Sequence, residues 1–153
     1  MNNLILVRHG QSEWNLENRF TGWVDVGLAA KGKLEACKAG ELIKELNLEL
    51  SYFYTSLQTR SIETLNLILN TMRIKDQNVT NAWELNERHY GALTGLNKDE
   101  MKKLYGEEKI HTFRRSWDNP PEPLKKTSPY HPINIDIYKN CLLYTSPSPR
   151  DEA

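Results

Sequence analysis

Four consecutive apolar residues, Leu4-Ile5-Leu6-Val7, stop abruptly at Arg8-His9-Gly10. A run of this kind reads as a strand buried on both faces of a parallel sheet. It is too short for a signal peptide or a membrane span, and no basic region precedes it. Ala39, Leu42, Ile43 and Leu46 then fall at i, i+3, i+4 and i+7, which predicts a helix over residues 29–46. Tyr52-Phe53-Tyr54-Thr55 is aromatic and β-branched, as a strand should be. Ile62, Leu65, Leu69 and Met72 restore helical spacing, and residues 79–83 read as a third strand. This alternation predicts an α/β fold with a mostly parallel sheet flanked by helices.

Further along, Asn97-Lys98-Asp99-Glu100 has the form of a capping box. A short helix using Met101 and Leu104 should follow it, and Ile110, Phe113 and Trp117 mark one face of the next. All seven prolines lie beyond Trp117 and all eight glycines before it. Residues 118–134 therefore read as a long irregular loop, functional or disordered. Residues 141–153 show neither helical nor strand period. The expected organisation is one partial domain over residues 1–140 and an unstructured, non-native tail over 141–153, similar to translated adapter or vector sequence.

The chain has 153 residues, with 20 basic and 20 acidic side chains. Zero net charge gives no support to a nucleic-acid partner, but it leaves room for the local basic clusters a small anion needs. Cys37 and Cys141 form no C-x-x-C pair and have no zinc-spaced histidines. No metal is expected, no membrane association, and a reducing cytoplasm is the default location.

The strongest chemical signal is Arg8-His9-Gly10-Gln11-Ser12-Glu13-Trp14-Asn15. A histidine at the C-terminal end of a parallel strand sits where α/β proteins bind ligands. A guanidinium beside it can fork onto phosphate oxygens, and glycine permits a tight turn or close approach. Gln11, Ser12 and Asn15 add uncharged donors. Neutral imidazole attacks phosphorus and leaves again readily near neutral pH.

This run resembles the histidine phosphatase superfamily, and within it the cofactor-dependent phosphoglycerate mutases. The similarity continues through Asn18-Arg19-Phe20-Thr21-Gly22-Trp23, Asp25-Val26-Gly27-Leu28, and Tyr54-Thr55-Ser56 with Arg60. It returns at Glu84 to Leu93, at Gly95-Leu96-Asn97-Lys98 and at Arg114-Arg115-Ser116-Trp117, and covers residues 3–140. The resemblance implies that His9 is the phosphorylated nucleophile, that Arg8 and Arg60 hold the phosphoryl oxygens, and that Glu87 is general acid and base. It further implies a substrate site lined by Arg8 to Asn15 (Glu13 and Trp14 included), Thr21, Gly22, Arg60, Glu87, Arg88, His89, Tyr90, Lys98, Arg114 and Arg115. The implied reaction interconverts 3-phosphoglycerate and 2-phosphoglycerate in glycolysis and gluconeogenesis, primed by 2,3-bisphosphoglycerate and without metal. A homo-oligomer is compatible with it.

Read without the resemblance, Arg60 equally suits a surface cation, Glu87-Arg88 a solvated pair, and Arg114-Arg115 an exposed helix edge. Lys98 suits an ordinary first-turn lysine, though a cation there opposes the helix dipole. His111 and His131 read as surface residues, His89 as structural or site-lining, and the four tryptophans as packing residues. The chain also departs from the family pattern, which has a second catalytic histidine in a late His-Gly-Asn run; no such run occurs here. Two alternatives stay open: a phosphatase of the same superfamily, or a phosphate-binding remnant without turnover.

Overall fold

The computed structural model describes residues 3–138 apart from Asp76, so the expectation for residues 141–153 lies outside the described residues. The described residues form two compact units. The first comprises residues up to 16 and 25–86; the second comprises 17–24 and those from 87 on.

The first unit is helix and strand in alternation. It contains α1 (Glu13–Leu16), α2 (Ala30–Glu45), β1 (Phe53–Thr55), α3 (Thr59–Met72) and β2 (Val79–Asn81). The two strands pair in parallel, Phe53 opposite Val79 and Thr55 opposite Asn81, as a β-α-β connection requires. Helix α2 forms where the periodicity predicts, but its buried stripe, Gly32, Ala36, Gly40 and Ile43, shares only Ile43 with the predicted one. Leu42 and Leu46 are exposed. The small residues win the inner face because α3 comes so near. A Cβ on Gly40 would stand 2.9 Å from Thr71 Cβ and 3.0 Å from the Ile68 carbonyl.

One expected strand is missing. Residues 4–7 have no strand partner among the described residues, and Leu4 and Leu6 are 81% and 84% exposed. An extended run becomes a strand only by hydrogen bonding to a neighbour, and the described sheet contains β1 and β2 alone.

The second unit contains α4 (Lys98–Tyr105) and α5 (Glu107–Arg115). Asn97 caps α4 as expected, its side-chain oxygen accepting from the Asp99 and Glu100 N–H groups at 2.9 and 3.2 Å. Phe20, Tyr90, Leu93 and Ile110 form the core, with Met101 and Phe113 packed against it. Trp117 does not join that face. Ser116 leaves the helix with ψ 147, and Trp117 is 71% exposed. The proline-rich stretch is ordered by short turns, including 3-10 turns at Pro132–Asn134 and Asp136–Tyr138, and Tyr138 packs on Trp23 with ring centroids 5.0 Å apart.

Candidate active site

Gly10 is buried and touches the backbone of α2: a Cβ on it would meet the Gly32 carbonyl oxygen at 2.2 Å. Reciprocally, a Cβ on Gly32 would meet the Gln11 oxygen at 2.1 Å. Two backbones can lie this close only with hydrogen on both Cα atoms. Gly10 N–H donates to Thr64 Oγ1 at 3.1 Å, and that hydroxyl donates to the Arg60 carbonyl at 2.7 Å. Thr64 therefore ties the His9 loop to α3 one turn beyond Arg60.

Arg60 is fully buried at 0% exposure, so the surface-cation alternative is ruled out. Its Nε–H donates to His9 Nε2 at 3.4 Å. A guanidinium has only donors, so Nε2 must present its lone pair. The imidazole proton then lies on Nδ1 and donates to the Gly10 carbonyl at 2.7 Å. The ring is thus held in one tautomer, with its nucleophilic nitrogen beside a fixed positive charge. Asp25 fastens the start of α3, accepting from the Thr59 N–H and hydroxyl at 2.7 Å each.

The uncharged residues after Gly10 are largely occupied in structure. Ser12 N–H donates to Asn15 Oδ1 and Asn15 N–H to Ser12 Oγ, both at 3.3 Å, a reciprocal cap on α1. Gln11 N–H donates to Glu35 at 2.9 Å. Trp14 is buried, while Glu13 and Arg8 are exposed. Glu35 and Thr64 are not among the residues expected to line the site, and Asp25 stands in the sequence only as part of the Asp25–Leu28 stretch. For Thr64 a signal existed, since it lies four residues after Arg60 on one helix face.

In the second unit, Tyr90 O–H donates to Glu87 Oε1 at 3.3 Å. Burial raises the Tyr90 phenol to about 12, with the Glu87 carboxylate adding to the rise and Arg114 and Arg88 opposing it. Glu87, Arg88, Tyr90 and Arg114 therefore form one electrostatic cluster. Arg115 is exposed, because successive helical residues diverge by about 100°. Lys98 lies over the Phe20 ring, 5.9 Å from its centroid. Gly22 adopts φ +55 against the Arg88 carbonyl and Tyr90. Thr21 Oγ1, Arg88 Nε and His89 Nε2 are buried without a hydrogen-bond partner among the described residues. His89 is 6% exposed, and its Nδ1 accepts from the Gly91 N–H at 2.9 Å. Burial first, and the charge of His131 second, lower its pKa to about 4.

The histidine phosphatase superfamily (branch 1) matches residues 4–130. This chain belongs to that superfamily. It is 66% identical over 140 residues to a 2,3-bisphosphoglycerate-dependent phosphoglycerate mutase of Pelagibacter ubique, spanning 92% of this chain and 58% of that protein. It is 50% identical over 148 residues to the protein of the same name from a Hydrogenobaculum species, spanning 97% and 60%. Among solved structures, phosphoglycerate mutase from Bacillus anthracis superposes with a TM-score of 0.58 at 27% identity, covering 69% of this chain and 47% of that one. Bacillus stearothermophilus YhfR gives 0.60 at 28%, covering 72% and 52%. This member of the histidine phosphatase superfamily thus has the α/β fold expected of it, and it spans about three fifths of the length of the curated relatives it matches. Among the described residues no group of three or more His, Cys, Asp or Glu could hold a metal ion, and no helix is long and apolar enough to cross a membrane.

Proposed function

We propose that this chain carries the phosphohistidine chemistry of a 2,3-bisphosphoglycerate-dependent phosphoglycerate mutase, interconverting 3-phosphoglycerate and 2-phosphoglycerate. The observation that carries the proposal is the His9 ring, with Nδ1–H on the Gly10 carbonyl and Nε2 against the buried Arg60 guanidinium. The names of the relatives support the substrate and the bisphosphate primer.

In the priming step the His9 Nε2 lone pair forms a bond to phosphorus. The phosphorus–oxygen bond of the bisphosphate breaks, and the leaving alkoxide takes a proton from Glu87. Arg60 and Arg8 offset the charge on the phosphoryl oxygens, which is the main work in this class of transfer. In the next step the hydroxyl of a bound monophosphoglycerate gives its proton to Glu87 and attacks phosphohistidine. Tyr90, Arg114, Arg115, Arg88 and Lys98 bind the anionic remainder of the acid. Gly22 and Thr21 line the site, and the buried Thr21 hydroxyl is a donor suited to a carboxylate or phosphate.

The test supplies 3-phosphoglycerate with primer and follows both products by phosphorus NMR. Appearance of 2-phosphoglycerate supports the mutase reading. Inorganic phosphate without the isomer would make the protein a phosphatase of the superfamily. Binding without either product, at high protein concentration, would make it a phosphate-binding domain.

A further inference from the structure

His89 directly follows the Glu87-Arg88 pair, yet it takes no part in the chemistry above. Its surroundings are unusually determined. Nδ1 accepts the Gly91 N–H at 2.9 Å, closing a turn in which Gly91 has φ +50. The ring stands edge-on to Trp23, with centroids 6.2 Å apart and planes at 80°. The next peptide is pinned from the proline-rich stretch, where Ala92 N–H donates to the Glu122 carbonyl at 2.7 Å. A Cβ on Gly91 would meet that same oxygen at 2.2 Å. Tyr90 lies between the two anchored residues, and its phenol bonds Glu87.

We propose that His89 is a positioning residue, which holds the Tyr90–Gly91 turn through its neutral Nδ1 and so fixes the Tyr90 phenol on the Glu87 carboxylate. The inference rests on the reading of Glu87 as acid and base, but its geometry stands apart from that reading. The turn is closed from the side chain by an acceptor two residues before the Gly91 N–H. Protonated His89 has no such lone pair. The groups that bear on the pair are known. Glu87, Arg114 and Arg88 act on Tyr90, His131 acts on His89, and Lys126 acts on His131.

The test compares His89→Asn with His89→Leu. An asparagine oxygen reaches the N–H two residues on, as in an Asx turn; leucine fills the space with no acceptor. The readout is the nuclear Overhauser contact between the Tyr90 ring and the Glu87 side chain at neutral pH, with the Tyr90 resonances assigned by Tyr90→Phe. In the unsubstituted protein the contact should be present, since the phenol bonds the Glu87 carboxylate at 3.3 Å. His89→Leu should lose it, while His89→Asn should keep it. A contact unchanged in His89→Leu, or lost equally in both variants, would overturn the proposal. If His89→Leu does not fold, His89→Gln replaces it, since its acceptor sits one carbon too far out. The mutase reading fails separately, if Glu87→Gln leaves isomerisation unchanged.

Discussion

At the residue scale, two histidines of this chain are held in defined tautomers for opposite ends. His9 keeps its proton on Nδ1 and turns Nε2 toward Arg60. His89 turns Nδ1 toward the Gly91 N–H and is kept neutral by burial, with its pKa down to about 4. The linkage sign follows. The unfolded chain binds a proton near the ordinary pH of about 6.5, and the folded chain only near 4. Stability from His89 is therefore complete above about 6.5 and lost as pH falls toward 4, by roughly 3 kcal/mol. His131 is lowered too, so its contribution has the same sign. Denaturant unfolding across that window should show the loss, and His89→Asn should flatten the slope. A slope unchanged by His89→Asn would contradict the assignment.

At this scale His9 and Arg8 stand out from the Arg8–Asn15 run itself, whereas Arg60, Glu87 and Tyr90 stand out only through the family resemblance, since in isolation Arg60 suits a surface cation and Glu87 a solvated pair. What was not legible is what holds them. Thr64, Asp25 and Glu35 act through contacts that close only when distant segments meet, and a threonine or carboxylate in isolation gives no sign of its partner. Ser12 and Asn15 were legible as polar groups, but not as partners of each other.

At the element scale, helices were read well and their inner faces less well. Periodicity marks where α2, α3 and α5 form, since each buries at least one apolar residue, while α4 buries none and is marked by its Asn97 cap. In α2 the stripe consists of Gly32, Ala36, Gly40 and Ile43, and the role of the first three is closeness and not hydrophobicity, so the exposed Leu42 and Leu46 misdirect the eye. Gly32→Ala tests this. Alanine raises helix propensity by about 1 kcal/mol. Its Cβ would stand 2.1 Å from the Gln11 carbonyl, a backbone atom that cannot swing away. Overpacking should win, for a net loss of about 1–2 kcal/mol and slower phosphorylation of His9. Gly27→Ala is the control, because its Cβ meets nothing nearer than the Glu63 carboxylate at 3.6 Å. Equal stability of the two variants, by thermal unfolding, would refute the close-packing account.

At the scale of the whole molecule, Leu4–Leu6 shows why a strand cannot be read from one segment alone. Its apolar character is real, but pairing is a property of two segments, and among the described residues the sheet consists of β1 and β2 alone. Leu4, Leu6, Tyr52 and Tyr54 consequently stand exposed, and exposed apolar surface of this kind promotes association. Leu6→Glu should change unfolding free energy by no more than about 0.5 kcal/mol and reduce self-association in sedimentation. A loss of several kcal/mol would show that residue 6 is buried.

The measurement closest to the central claim is phosphorylation of His9. The protein, incubated with labelled 2,3-bisphosphoglycerate, should take up acid-labile, base-stable phosphate on one residue, and His9→Ala should take up none. Label that persists in His9→Ala, or no label in the unsubstituted protein, would contradict the account.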